Sequence, residues 1–183
     1  MRLFALISSL LVTVLCQAAP RELTGAEKDA ILEKVTTYNS SAKTLMADFT
    51  QVKNSAMLSS PITSTGRLCF ATPGLVRWEM ISPVKKVSVF DSSDRRIALL
   101  TFDFSQFISS VSEDGPVYEV RLSPTTKDLT RLFRAVILTC IKSSGQVTGI
   151  VLVDTEGDTT DLRFSNIKRD CEIDPKLFEN ASR

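Results

Sequence analysis

The chain has 183 residues, with 22 lysines and arginines against 21 aspartates and glutamates, and no histidine. Such a neutral balance argues against nucleic acid or an extended acidic partner as the main ligand, and widely spaced cysteines without histidine give no metal site. With 43% apolar residues, the length suits one domain with a substantial core.

Met1-Arg2 is a basic head on an apolar run, Leu3 to Leu15, broken only by Ser8, Ser9 and Thr13, and Cys16-Gln17-Ala18 follows with Pro20 just beyond. The run is too short to span a bilayer and has the order of a secretory signal peptide, residues 1–18, with cleavage after Ala18 or Ala19 and a single domain over 19–183. A buried strand, a retained anchor, or a lipid attached to Cys16 are the other readings, and Leu15 stands where lipid processing wants a small residue. Removing the leader takes away only the charge of Arg2. Cys69, Cys140 and Cys171 remain, and two readings stay open for them: a bridge between Cys140 and Cys171 with Cys69 as a small buried hydrophobe, or three free buried thiols.

Leu23 to Tyr38 reads as a helix. Thr24 is placed to cap it with Glu27 three residues on, and Ala26, Ala30, Ile31, Lys34 and Val35 keep helical spacing. Leu45, Phe49 and Val52 then recur irregularly, as in a first strand or a helix-to-strand transition, and Ser55 to Thr65 reads as a loop or edge. Gly66 to Ala71 and Leu75 to Ile81 are strands joined at Thr72-Pro73-Gly74, a turn that uses the positive φ of glycine. Leu68 and Phe70 share one face of the first, and Val76, Trp78 and Met80 share one face of the second. Such a greasy face needs a cover; Trp78 is then either ordinary core beneath the helix or part of a ligand-binding wall.

Further strands are expected at Lys86 to Phe90, Arg95 to Phe102, Val117 to Leu122, Arg134 to Ile141, Val147 to Asp154 and Thr159 to Ile167. Glu156-Gly157-Asp158 marks the clearest hairpin, with Leu152 leading in and Leu162 and Phe164 leading out. Phe102, Phe104, Phe107 and Ile108 cluster at a spacing that shifts from two to three, which fits a short helical lid or a plug closing the core. The fold class is mainly β with α: a curved antiparallel sheet forming an incompletely closed barrel, covered by the N-terminal helix and the lid. Asp91, Asp94 and Asp103 have no arranged nucleophile beside them, so an enzyme is not expected.

Three segments, Ala47-Asp48-Phe49-Thr50-Gln51, the Gly66 to Pro83 stretch with Arg77-Trp78-Glu79, and the hairpin from Val151 to Ile167, resemble the outer-membrane lipoprotein carrier family (LolA) of Gram-negative bacteria. Asp174-Pro175-Lys176-Leu177-Phe178 is similar to that family's ending. The resemblance implies a periplasmic, monomeric, cofactor-free carrier. It would take acylated lipoproteins or another lipid amphiphile from an inner-membrane lipoprotein-releasing transporter and pass them to an outer-membrane acceptor. Phe49, Leu68, Phe70, Val76, Trp78, Met80, Leu152, Leu162 and Phe164 then form the acyl-chain wall, and Phe102, Phe104, Phe107 and Ile108 the lid. Arg77 matches an arginine that holds the family's lid through backbone hydrogen bonds; its other reading is an outward-facing strand arginine paired with Glu79. After Pro83 the sequence departs from the family, with Asp91-Ser92-Ser93-Asp94 in place of a glycine-containing turn. A lipid sensor without transfer activity, or a structural domain with a closed core, are the alternatives.

Overall fold

The computed structural model describes residues 19–91, 102 and 104–179. Its strands are β1 (Arg21–Leu23), β2 (Thr44–Asn54), β3 (Ile62–Ala71), β4 (Leu75–Ser82), β5 (Lys86–Phe90), β6 (Phe107–Asp114), β7 (Val117–Pro124), β8 (Ala135–Ile141), β9 (Val147–Val153) and β10 (Thr159–Arg169). They form one antiparallel sheet in the order β1-β6-β7-β8-β9-β10-β2-β3-β4-β5. The edge strands β1 and β5 do not pair with each other, so the curved sheet stays open as the sequence predicts. Helix α1 (Gly25–Ser40) lies against the inner face, where Val35 is fully buried in the core. A single helical turn, α2 (Lys127–Thr130), and a 3₁₀ turn at Pro175–Phe178 are the other described helices.

Pairing register fixes which side chains face inward, because residues directly opposite share a face. Leu45 faces Phe70, Ala47 faces Leu68, Leu68 faces Trp78 and Phe70 faces Val76. The same inner surface continues through Phe164 opposite Phe49, Leu162 opposite Ile150, Leu138 opposite Val120, and Val120 opposite Val111. The outer face carries charge instead, as in the Arg67–Asp48 and Arg163–Asp161 pairs.

Several expectations need correction. Ile62 to Thr65 is strand rather than loop, with Ser64 buried on the inner face. Phe107 and Ile108 open β6, pairing with Pro124 and Ser123, and so do not belong to a helical lid; Ile108 points to solvent. The pattern of β6 hid it: of the inward positions Phe107, Ser109, Val111 and Glu113, only Val111 is both apolar and fully buried. Helix α1 starts at Gly25, two residues later than predicted. Thr24 sits at the N-cap but makes no side-chain cap bond, and Ala26 and Ala30 are exposed. The predicted leader and all of the predicted strand Arg95–Phe102 except Phe102 lie outside the described residues.

Candidate functional site

Two glycines shape the inner face around Trp78. Gly74 turns β3 into β4 at φ 140°, a conformation that side-chain-bearing residues rarely adopt. Gly66 leaves room for an aromatic ring: a Cβ there would stand 2.4 Å from Phe49 Cζ and 2.1 Å from the Glu79 carbonyl oxygen. With that space free, the Phe49 ring stacks on Trp78 at 4.1 Å between centroids. Gly66→Ala should therefore cost about 2–3 kcal/mol, since the backbone on one side cannot give way. Urea unfolding measures it; an unchanged midpoint would mean that the ring has somewhere else to go.

Beside this stack lies a small apolar cavity of about 50 Å³ that opens to solvent at one side. Strands β2 and β3 contribute Leu45, Ala47, Leu68 and Phe70; β9 and β10 contribute Val147, Ile150, Phe164 and Ile167. Phe102 closes one side, and Asn39 of α1 is the sole polar side chain among the described residues of the lining. Of the predicted wall, Leu68, Phe70 and Phe164 line this space. Phe49, Val76, Trp78, Met80, Leu152 and Leu162 are on the same inner face, packed in or against the core beside it.

The predicted lid is divided by the structure. Phe102 lines the cavity, and Phe104 packs against the core with its ring edge-on to that of Phe102 at 6.5 Å. Phe102 adopts φ 54°, an uncommon conformation for a bulky residue, and its carbonyl accepts a hydrogen bond from Thr36 of α1 at 3.3 Å. Strand β5 ends at one edge of the sheet and β6 begins beside the opposite one, and Phe102 belongs to the chain between them.

Helix α1 is the larger cover, and its hold on the sheet is mostly polar. Val35 is its only fully buried residue, with Ile31 and Leu32 partly buried against the core. Asn39 donates to Gly145 O at 2.9 Å and accepts from Val147 N at 3.2 Å, while Lys34 donates to the carbonyl of Lys142. From β10, Arg169 donates to Tyr38 O at 2.7 Å and Ser41 Oγ at 2.9 Å, with its guanidinium 3.9 Å from the Tyr38 ring centroid. A cation at the C-terminal end of α1 also meets the negative end of the helix dipole. A bulge makes this reach available: the register of β10 against β2 shifts between Ser165 and Lys168, with Asn166 at φ 51°, so Ile167 enters the cavity and Arg169 follows on the same face.

Arg77 is elsewhere. It lies opposite Cys69 on the outer face, away from the cavity, where it pairs with Glu79 at 3.2 Å and donates to Leu177 O at 2.8 Å. It thus does hold a backbone carbonyl, but that of the C-terminal 3₁₀ turn and not of a lid. Alternation along β4 requires this: with Val76 and Trp78 inside, Arg77 must face out. Of the two readings left open for the cysteines, the structure has the free thiols, at Cys69, Cys140 and Cys171. Cys140 is fully buried on the inner face of β8, whereas Cys171 follows β10 and hangs over Thr44, whose hydroxyl donates to its carbonyl at 2.6 Å.

Leu45 and Ala47 went unrecognised as lining because Ala47 is small, which hid the period of two that joins them to Phe49. Arg169 had no signal at all; a terminal strand arginine reads as surface until the bulge before it is known.

Relatives of this chain in sequence share one name. Residues 40–103 match the family described as "Outer membrane lipoprotein carrier protein LolA". An outer-membrane lipoprotein carrier protein of Pseudomonas aeruginosa (strain UCBPP-PA14) is 29% identical over 199 residues, covering 94% of this chain and 93% of its own length. Its counterpart in Pseudomonas fluorescens (strain Pf0-1) is 27% identical over 183 residues, covering 86% and 87%. Among solved structures, the crystal structure of MucB shares the fold, with TM-score 0.53 at 12% identity over 86% of this chain and 64% of that one.

Proposed function

We propose that this chain, whose relatives in sequence are outer-membrane lipoprotein carriers, is a periplasmic carrier that shelters the acyl chains of lipoproteins and delivers them toward the outer membrane. The observation that carries this reading is the apolar cavity between α1 and the β2-β3-β9-β10 wall, whose described lining offers one polar side chain, Asn39. Such a lining binds hydrocarbon and little else. Each buried methylene is worth about 0.8 kcal/mol, so three acyl chains of some 15 carbons would cost on the order of 30 kcal/mol in water. A carrier must supply that shelter and still let go.

With α1 in place the enclosed space is only about 50 Å³, too little for an acyl chain. A triacyl group therefore needs the cover to move, and the cover is built to move: one fully buried valine, two partly buried aliphatic residues and a few polar pins hold α1. Loading lifts α1 and the Phe102 segment; emptying lets them fall back onto the wall. Export by the leader at residues 1–18 brings the carrier to the periplasm, where it would meet an inner-membrane releasing transporter and an outer-membrane acceptor.

The test is mass spectrometry of lipid extracted from gently purified protein, followed by titration of the delipidated protein with a triacylated lipopeptide and its deacylated form. Recovered acyl species and binding of the triacylated peptide alone are expected. Equal binding of both peptides, or of neither, would defeat the carrier and favour a closed structural domain.

A further inference from the structure

We propose that Cys69 and Cys171 form an intrachain disulfide that staples the C-terminal segment across the outer face of the sheet. The proposal rests on the export reading for its oxidising surroundings, but its chemistry depends only on these two positions.

Cys69 is 3% exposed although it stands on the outer face, beside Arg67 and opposite Arg77. Its cover is the segment that follows β10. That segment is fastened on both sides of β3: at its start Asp170 N donates to Thr44 O at 2.8 Å, Lys43 N donates to Asp170 Oδ1 at 2.8 Å, and Thr44 Oγ1 donates to Cys171 O at 2.6 Å. At its far end Arg77 Nη1 donates to Leu177 O at 2.8 Å. Thr44 belongs to β2 and Arg77 to β4, so the chain between Cys171 and Leu177 crosses β3, the strand that carries Cys69.

The register places Cys69 near the anchor of Cys171, and the two thiols are close enough to interact electrostatically. Thr44 pairs with Ala71, and Cys69 is two residues along on the same face, a diagonal neighbour at roughly 7–8 Å. Cys171 hangs from Thr44. Its Sγ makes a weak contact to Lys168 O, at 3.7 Å. A disulfide joins Cα atoms about 4.4–6.8 Å apart, and the segment that holds Cys171 lies over the strand that carries Cys69. Burial raises the thiol pKa of both Cys69 and Cys140, but Cys140 is on the opposite, inner face, away from Cys171.

The exchange needs a small-molecule or protein disulfide as oxidant. The half-buried Cys171 thiolate attacks one oxidant sulfur and expels the other as a thiolate. Cys69, deprotonated in turn, attacks Cys171 Sγ in the mixed disulfide and expels the second. Two protons pass to the two leaving thiolates, so one oxidant disulfide becomes two thiols as the Cys69–Cys171 bond forms.

The experiment oxidises the purified, pre-reduced chain in a glutathione buffer, alkylates remaining thiols and maps the non-reduced digest. A linked peptide joining Cys69 to Cys171 with Cys140 alkylated is expected, unchanged in Cys140→Ser and lost in Cys171→Ser. Dithiothreitol should lower the Tm of the oxidised wild type by about 5–15 °C and leave Cys171→Ser where it was. Alkylation of both Cys69 and Cys171 under these conditions, or a linked peptide containing Cys140, would overturn the proposal. Because lipid plays no part in this assay, a bridge without lipopeptide capture sinks only the carrier, and capture without a bridge sinks only the staple.

Discussion

Glutamate in place of Phe164 is expected to weaken capture of a triacylated lipopeptide by about 100-fold or more, with the fold retained. Phe164 lines the cavity and faces Phe49 across β10 and β2, so a carboxylate there would meet acyl chains from the wall itself. Leaving an unpaired charge against hydrocarbon costs several kcal/mol, and about 2.7 kcal/mol already amounts to the hundredfold. The side chain is only half-buried, which lets the unloaded Phe164→Glu variant turn its charge to the mouth and stay folded. Trp78→Ala provides the contrast. That ring stacks on Phe49 and stays outside the cavity lining, so its loss should lower stability by about 3 kcal/mol and leave capture nearly as it was. Fluorescence titration with the lipopeptide, beside urea midpoints, separates the two. If Phe164→Glu bound normally, or Trp78→Ala lost binding at full stability, the cavity would be in the wrong place.

That contrast also shows how far the amino-acid sequence speaks for the site. Alternation in Gly66–Ala71 and Leu75–Ile81 told which side chains share a face, and the register agrees, with Leu68 opposite Trp78 and Phe70 opposite Val76. Sharing a face is less than lining a cavity. Phe49 and Trp78 fill their own space by stacking, over a glycine that makes room for the ring, and alternation carries no information on which residues do so. Strand β6 was hidden because serine and glutamate occupy inward positions near the rim, where Glu113 is held by Arg21 and Lys142 and not by apolar packing. The bulge in β10 was hidden too, and with it the direction of Arg169: Ser165-Asn166-Ile167-Lys168 has the composition of plain strand, and only a register shift turns Ile167 and Arg169 inward. Arg77 illustrates the opposite case. Its resemblance to a switch arginine was a matter of neighbours in sequence, yet a strand that buries Val76 and Trp78 leaves Arg77 no route to the inner face.

The device for opening thus shifts from Arg77 to the end of β10. Arg169→Met should release α1 while keeping much of the alkyl stem that packs beneath it. The substitution removes two charge-assisted hydrogen bonds, at 2.7 and 2.9 Å, and a guanidinium stacked at 3.9 Å on Tyr38. Hydrogen bonds to charged groups are worth about 1.5–3 kcal/mol, and the partial exposure of Arg169 puts the loss at the lower end, near ~1.5 kcal/mol. On the proposed carrier reading, closed and loaded states compete for the same inner face, and the Arg169 contacts belong to the closed one. Their loss therefore favours loading by about tenfold, seen as tighter lipopeptide binding and slower release to acceptor vesicles. Amide exchange in the last turns of α1 should quicken in the empty protein and differ little from wild type when loaded. Should Arg169→Met lower stability with no change in affinity or release, the arginine would be a fastening of the closed fold alone, and the cover would have to be held by Asn39 and the β8–β9 turn.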